Sequence, residues 1–206
     1  MAVSDFRTPE LWRKDLDQRW PERIAFKQII RDKLVERLQG KSDTQILELG
    51  LGDGELLAEL AASLTRSKMV AMDINQSLLT YCQSRLSAFH ISFVSQDLCV
   101  PWASGNENHF DAVYSLQSIH DFGGLDALTQ TYQQIAQVLK PGGLVLNADF
   151  ILPMPQDDPA APRRFPVEVH TQLLTDCGFE NIRILHQEGL LGCLMANLPD
   201  PNKKFS

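Results

Sequence analysis

The stretch that decides the fold is residues 45–55, which read Gln-Ile-Leu-Glu-Leu-Gly-Leu-Gly-Asp-Gly-Glu. A short apolar run leads into glycines on alternating positions, Gly50, Gly52 and Gly54. Glycine loses more backbone entropy on ordering than any other residue, so a group this dense needs a structural reason. The usual reason is a ligand that approaches the backbone where a Cβ atom would block it. We therefore expect a buried strand, a ligand-binding turn and then a helix.

Outward from this stretch, apolar strands alternate with amphipathic helices. Further strands are predicted in the sequences KMVAMD, HISFVSQD, FDAVYSLQSIH and LVLNADF. The residues PGG before the last of these sequences predict a turn into that strand. Helical patterns such as GELLAELAASL and LDALTQTYQQIAQVLK stand between them. This alternation predicts a parallel sheet that is covered on both faces, and right-handed crossovers make such a sheet doubly wound.

The C-terminal part predicts a reversal of strand direction. A helix, VEVHTQLLTDCGF, leads to the strands NIRILH and LLGCLMANL, which only the residues QEG separate. A crossover between parallel strands needs about a dozen residues or more, so these strands must be antiparallel and joined by a hairpin at Gly189. The expected fold class is therefore α/β: a Rossmann-like, doubly wound, seven-stranded sheet, mostly parallel, with the last strand antiparallel.

The N-terminal part predicts helices, with Thr8 as a suitable cap of the first and Pro21 opening the second. We expect residues 1–40 to form a helical cap region and residues 41–206 to form the ligand-binding domain. The Pro-rich sequence LPMPQDDPAAPRRFP after the fifth strand predicts an irregular, lid-like loop.

Composition limits the class of protein. The net charge is −7, from 19 basic and 26 acidic residues, which argues against a sequence-independent nucleic-acid binder. The N-terminus shows no secretory signal and no apolar run is long enough to cross a membrane. The four cysteines lack CxxC spacing and the histidines lack HxxxH spacing. We expect a cytoplasmic protein without a metal site.

The residues of the glycine turn discriminate between ligands. A phosphate-binding P-loop needs a lysine after the last glycine, and Glu55 stands there. A dinucleotide turn needs Gly-x-Gly-x-x-Gly, whereas Asp53 and Glu55 place negative charge where phosphates would lie. The remaining pattern suits a ligand with an ammonium group, a ribose and a purine, such as S-adenosylmethionine.

Residues 44–150 resemble a class I S-adenosylmethionine-dependent methyltransferase. LELGLGDG looks like the family's first motif, VAMDIN like its second and SQDL like its third. FDAVYSLQSIHD looks like the fourth motif, LKPGGLVLNADF like the strand entry after it, and the terminal hairpin fits the family's reversed seventh strand. The resemblance implies S-adenosylmethionine as the cofactor.

The resemblance also implies residue roles. Gly50 and Gly52, with Gly54 in the same turn, would let the methionine portion of the cofactor lie against the backbone. Glu48 would support the cofactor's amino group, often indirectly, and Asp73 would accept hydrogen bonds from the ribose hydroxyls.

At the adenine end, Ile74 would pack on the ring face and Asp97 would accept from the adenine amino group. The backbone N–H of Leu98 would read the ring edge, and the backbone of Ser115 would face the cofactor. Asp97 has a second interpretation, as the residue of an Asx turn. Helix caps, rather than ligand contacts, are expected of Asp53 and Asn75.

Candidates for a general base follow the fourth strand. His120 is the candidate base and Asp121 the residue that orients it. The alternative is that His120 fills the edge of the sheet while Asp121 caps the helix that begins near Leu125. For the acceptor, Trp12, Trp20 and Phe26 would suit an apolar small molecule, and Arg163 or Arg164 would hold a carboxylate. Core packing and a solvated loop are the respective alternatives.

Three functional hypotheses remain. The first is a methyltransferase that acts on oxygen or nitrogen of a small molecule, with no nucleic acid or membrane as partner. The second is a non-catalytic module of the same fold that acts through a protein partner. The third, a nicotinamide-dependent oxidoreductase, is disfavoured by the glycine spacing and the terminal hairpin. The sequence does not decide the oligomeric state.

Overall fold

The computed structural model describes residues 8–202, and its strands form a single seven-stranded sheet. The strands are β1 (Gln45–Leu49), β2 (Lys68–Asp73), β3 (Ile91–Ser95), β4 (Phe110–Leu116), β5 (Leu139–Phe150), β6 (Glu180–Glu188) and β7 (Leu191–Asn197). The helices are α1 (Pro9–Arg19), α2 (Arg23–Leu38), α3 (Glu55–Ser63), α4 (Gln76–Arg85), α5 (Leu125–Val138) and α6 (Val167–Asp176). The expected domain bounds, 1–40 and 41–206, include residues 1–7 and 203–206, which lie outside the described residues.

The strand order is β3-β2-β1-β4-β5-β7-β6. Strands β1 to β5 pair in parallel, while β7 is antiparallel to both β5 and β6. The predicted fold class is therefore confirmed, including the single reversed strand. That strand is last in the chain but lies inside the sheet, because the hairpin places it between β5 and β6 rather than at the edge.

Each face of the sheet has its own apolar core. Strand alternation sends Ile46 to the core under α2, α3 and α4, and sends Leu47 and Leu49 to the core under α5 and α6. Full burial of such a side chain contributes roughly 1.5–3 kcal/mol. Helices therefore cover both faces, as the doubly wound prediction requires.

The N-terminal helices are held to the domain in different ways. Helix α2 buries Phe26, Ile30 and Leu34 completely, whereas α1 has no buried residue. The Thr8 side chain caps α1 by accepting from the Leu11 N–H at 3.4 Å, as predicted. Because α1 contributes no core, polar and partly exposed contacts have to position it.

One predicted turn is part of a strand. The PGG segment at residues 141–143 lies within β5, which pairs with β4 across a register shift between Phe110 and Ala112. The shift takes up the extra residues, and Gly142 has a φ of +77° there.

After β5, residues 151–166 contain neither helix nor strand. Within residues 8–202, no helix has the length and apolar character needed to cross a membrane.

Candidate active site

The glycine turn opens on a cavity of ≈ 640 Å³ at the carboxyl ends of β1, β2, β4 and β5. This is the edge at which open α/β sheets bind ligands. Most residues predicted from the sequence line it, namely Glu48, Gly50, Gly52, Asp73, Ile74, Asp97, Leu98, His120 and Asp121. Two predicted residues, Gly54 and Ser115, are not among its lining residues.

The glycines of the turn have different tasks, although all have positive φ. A Cβ atom on Gly50 would lie 2.2 Å from Ser118 Oγ, and one on Gly54 would lie 2.8 Å from Cys82 Sγ. Around Gly52 the nearest atom to such a Cβ is 3.9 Å away, on the Trp12 ring. Gly50 and Gly54 therefore make room for the protein's own side chains, and Gly52 leaves the open space.

Ser115 serves the sheet rather than the cavity. Its side chain is buried, and Oγ donates to the Leu49 carbonyl at 3.0 Å. This bond links the ends of β4 and β1, so it fixes the strands from which the turn and the base candidate project. The placement differs from the sequence expectation of a backbone that faces the ligand.

Asp73 connects the glycine turn to the next helix. One carboxylate oxygen accepts from the Leu51 N–H at 2.9 Å and the other accepts from the Asn75 N–H at 2.8 Å. Burial raises the pKa of Asp73, although these backbone donors oppose the rise. Asn75 in turn caps α4, accepting from Ser77 and Leu78, as predicted. The carboxylate is thus held rigidly at the cavity wall.

Glu48 is a buried acid in the core strand β1. It is 3% exposed, and Oε2 has no hydrogen-bond partner among residues 8–202. Burial raises the pKa of Glu48 well above its usual range, outweighing the Tyr114 hydroxyl, and the Asp73 charge adds to the rise. A cation in the cavity would relieve this cost, because it stabilises the ionised carboxyl.

Two buried cations, which sequence reasoning missed, line the same cavity as Glu48. Arg23 and Lys27 of α2 are 8% and 7% exposed, and both line the cavity. Arg23 Nη1 pairs with Asp17 at 2.9 Å, and Lys27 Nζ pairs with Glu55 at 2.6 Å. The signal was their spacing of four residues on the stripe that buries Phe26, since a cation on a buried stripe needs a polar partner.

A second ionic contact fastens α1 over the turn. Arg13 Nε lies 3.0 Å from Asp53 Oδ2, and Arg13 Nη1 lies 3.0 Å from Glu55 Oε1. Asp53 also accepts from the Glu55 N–H at 3.3 Å, but Gly54 occupies the cap position of α3, so the prediction that Asp53 is the helix cap is wrong. Trp12 of α1 and Trp20, which directly follows the helix, lie on the cavity wall. Helix α1 therefore closes one side of the site through charges on the turn itself.

The opposite end of the cavity has an exposed apolar side chain beside an Asx turn. Ile74 is 65% exposed and lines the cavity, which leaves its face available to a ring. Asp97 accepts from the Cys99 N–H at 2.9 Å, which is the turn interpretation, yet it also lines the cavity. Leu98, which lies between Asp97 and Cys99, is buried and anchors this segment.

His120 is oriented by a residue that sequence reasoning missed. Its Nδ1 lies 2.6 Å from Asp149 Oδ1, and its backbone N–H donates to Asp149 Oδ2 at 3.0 Å. Asp121, the expected orienting residue, is mostly exposed and lies 3.5 Å from Nε2. It does not cap α5 either, because Gly124 occupies the cap position. The signal was an acid in the apolar strand LVLNADF, at the end that reaches the cavity.

The His120–Asp149 pair has a defined electrostatic state. Burial alone lowers the pKa of His120, but the Asp149 carboxylate, with help from Asp121, raises it above 6.5 overall. The reverse holds for Asp149: the imidazole lowers its pKa in spite of complete burial. Such a pair can hold a proton on Nδ1 and present Nε2 to the cavity.

Aromatic and basic side chains form the remaining wall. Phe150, Trp20, Met154 and Arg164 line the cavity, whereas Arg163 is exposed. The expected aromatic set is thus divided, since Phe26 is completely buried in the core. Among residues 8–202, no cluster of three or more His, Cys, Asp or Glu side chains is arranged to hold a metal ion.

Comparison with known proteins places this geometry in a family. Residues 46–143 match the sequence model of a family described as a methyltransferase domain. This segment is a class I S-adenosylmethionine-dependent methyltransferase domain. The first four methyltransferase motifs fall within these residues, and the fifth, LKPGGLVLNADF, begins within them and extends to residue 150.

Part of the chain is similar to curated relatives. Over 108 residues it is 30% identical to the fatty-acid O-methyltransferase of Mycolicibacterium smegmatis, a match covering 51% of this chain and 36% of that protein. Over 108 residues it is 32% identical to the N-methyltransferase sirN of Leptosphaeria maculans, covering 51% and 35%. The chain therefore spans about a third of the length of these relatives.

A solved structure shares the fold of the methyltransferase domain and its flanking elements. The CurJ carbon methyltransferase superposes with a TM-score of 0.71 at 16% identity, covering 84% of this chain and 54% of that chain. At this identity the similarity concerns the fold alone.

Proposed function

We propose that this chain transfers a methyl group from S-adenosylmethionine to oxygen or nitrogen of a small-molecule acceptor. The observation that carries the proposal is the buried Glu48, with Oε2 unpartnered in the described part of the chain, on the same cavity as Arg23 and Lys27. An acid and two cations that line one cavity with a glycine turn suit the ammonium and carboxylate of an amino-acid group. In this proposal, residues 1–40 cap the domain formed by residues 41–206.

The cavity provides a partner for each part of the cofactor. Glu48 supports the ammonium group, and Arg23 and Lys27 lie toward the carboxylate. Gly52 leaves the backbone open beside them, with no atom within 3.9 Å of where a Cβ would be. Asp73 lines the cavity and accepts hydrogen bonds from the ribose hydroxyls through its carboxylate oxygens.

The adenine ring has its own subsite. Ile74 packs on the ring face, Asp97 accepts from the exocyclic amino group, and the Leu98 N–H meets the ring edge. The exposed fraction of Ile74, 65%, supports this assignment, since burial against a ring would recover the free energy of an apolar side chain left in water.

The chain's contribution to the reaction is position and proton handling. When bound, S-adenosylmethionine supplies a methyl carbon whose bond to sulfur breaks, with its electron pair left on sulfur, as the bond to the acceptor forms. His120 Nε2 takes the proton that the acceptor atom loses. Asp149 holds the Nδ1 proton, so the tautomer with a free Nε2 is favoured and the imidazolium is stabilised once it forms.

One of the two relatives is named as an O-methyltransferase and the other as an N-methyltransferase. The proposal therefore includes both oxygen and nitrogen as the accepting atom. A base beside the acceptor favours an atom that carries a proton at neutral pH, such as a hydroxyl or an ammonium. This is the reason for proposing oxygen or nitrogen with His120 in the base role.

Calorimetric titration tests the proposal, with S-adenosylmethionine and S-adenosylhomocysteine as ligands and NAD as the control. We expect micromolar binding of the sulfur ligands and none of NAD. Asp73→Ala is expected to weaken binding by about one to two decades, since hydrogen bonds to a charged group contribute roughly 1.5–3 kcal/mol. Folded protein that binds neither sulfur ligand would contradict the proposal and favour a non-catalytic module that acts through a protein partner.

A further inference from the structure

One wall of the cavity is organised around the ring of Phe150, the last residue of β5. Trp20 meets this ring edge to face with 5.1 Å between centroids, and His120 does so at 5.0 Å. The guanidinium carbon of Arg164 lies 5.1 Å from the same centroid. An apolar surface, the candidate base and a cation therefore surround a single side chain on the acceptor side of the site.

The two arginines of the loop at residues 151–166 have opposite surroundings. Arg163 is exposed, whereas the Arg164 side chain is only 14% exposed and lines the cavity. Arg164 Nη1 pairs with Asp157, and Asp157 Oδ2 accepts from the Met154 N–H at 2.6 Å, which fixes the pair within its loop. The loop thus delivers one of two adjacent cations to the site and leaves the other in solvent.

Asp157 uses only part of the Arg164 guanidinium. The group carries five N–H donors, of which Asp157 engages Nη1, and Nε has no partner among residues 8–202. The charge of Arg164 also reaches the base, since it opposes the rise in the pKa of His120. Both groups lie against the Phe150 ring and line the cavity, so they face the same part of it.

We infer that Arg164 binds a carboxylate of the methyl acceptor, which makes the substrate class a small organic acid with an apolar body. This inference rests on the proposed function and assigns the acceptor side of the same site. The planar donor fork of an arginine matches the two oxygens of a carboxylate. Trp20 and Phe150 provide the apolar surface for the body, and His120 Nε2 lies where the accepting group is then held.

The carboxylate is the anchor and not the accepting atom. Hydrogen bonds from a guanidinium occupy its lone pairs and stabilise its negative charge, which makes it a poorer nucleophile. A carboxylate also has no proton to lose at neutral pH, so His120 would have no role in its methylation. The acceptor therefore carries a second group, a hydroxyl or an amine, and the product keeps its free carboxylate.

Competitive binding tests the inference without a known substrate. The probes are benzoate, 4-hydroxybenzoate and hexanoate, each compared with its uncharged amide, titrated into the full chain saturated with S-adenosylhomocysteine. We expect at least one acid to bind about tenfold or more tightly than its amide, the margin given by one charge-assisted hydrogen bond. Arg164→Gln should abolish that margin, while the adjacent Arg163→Gln should leave it unchanged.

A second variant changes affinity in the opposite direction. Asp157→Asn removes the charge that competes for Arg164 but keeps an oxygen for the Met154 N–H, so the acids should bind several-fold more tightly. A guanidinium that only supports the loop would give no gain. Binding of S-adenosylhomocysteine is measured on every variant and reports that the protein is folded.

The outcomes separate the inference from the proposed function. Loss of S-adenosylhomocysteine binding in the unsubstituted chain would contradict the methyltransferase proposal itself. Intact S-adenosylhomocysteine binding overturns the inference alone if no acid binds, if acids and amides bind equally, or if Arg164→Gln and Arg163→Gln behave alike.

Discussion

Replacing Glu48 by glutamine should stabilise the ligand-free protein and weaken its hold on the cofactor. Glu48 is 3% exposed with an unpartnered Oε2 in the described chain, and burial raises its pKa well above 4.5. The folded state therefore binds this proton more tightly than the unfolded state does. Stability falls as the pH rises from 4.5 through the raised pKa, because the unfolded chain gains by ionising there.

The magnitude follows from the cost of an unsatisfied buried group. An unpaired buried acceptor lowers the free energy of unfolding by about 1–3 kcal/mol. Glutamine cannot ionise, so it removes the part of this loss that comes from the carboxylate charge. We expect Glu48→Gln to unfold at a temperature that is higher by about 2–4 °C for each kcal/mol gained at this chain length. The gain should be present at pH 8 and vanish near pH 4, where the glutamate is protonated in both states.

The assay is thermal unfolding followed by circular dichroism between pH 4 and pH 8, paired with calorimetric titration of S-adenosylhomocysteine. The same substitution should weaken that ligand by about tenfold or more, since the ammonium loses its charged partner. The exposed Glu36→Gln is the matched control and should change neither quantity. A Glu48→Gln protein that is no more stable at pH 8, or that binds the ligand unchanged, would refute the reasoning.

The remaining predictions concern the base, the turn and α1. Asp149→Asn should lower the pKa of His120, which NMR titration of the imidazole measures. Once a substrate is known, the pH at which activity rises should be lower in this variant. Asp121→Asn should shift that pKa much less, because its carboxylate is mostly exposed; equal shifts would count against Asp149 as the orienting residue. Gly50→Ala should destabilise the fold by more than about 1 kcal/mol in denaturant unfolding, since the new Cβ meets Ser118 at φ +79°. Arg13→Gln should speed chymotrypsin digestion within α1 several-fold; an unchanged rate would show that α1 is held without its ion pairs.

Most of the fold could be predicted from the local periodicity of apolar residues in the sequence. The strands of KMVAMD and HISFVSQD and the helices around them follow from apolar spacing alone, and the three-residue QEG link was enough to predict the reversed strand. The PGG segment was predicted as a turn, because its residues favour turns, but pairing with β4 keeps it in β5 through a register shift. Tertiary pairing overrides local preference there, and no local pattern reports it.

The same distinction between local sequence patterns and tertiary pairing applies to the residues of the site. The positions of Asp73, Gly50 and Gly52 on the cavity were predictable because a local motif places them, whereas Asp149 meets His120 only through the pairing of β4 with β5. Arg23 and Lys27 reach the turn because α2 packs on the sheet, which a helical pattern does not specify. Gly54 and Ser115 match the motif but face the protein interior, since a motif records residue types and not the direction of a side chain.

The position of β7 has a consequence for synthesis of the chain. This strand leaves the ribosome after β6, yet it fills the slot between β5 and β6. Until residue 197 has emerged, the nascent protein presents the open edge of β5, an apolar strand that the finished sheet buries. Exposed strand edges invite pairing with other chains. A ribosome that stalls shortly before this point would therefore display an aggregation-prone intermediate that already contains all the residues proposed to bind the cofactor.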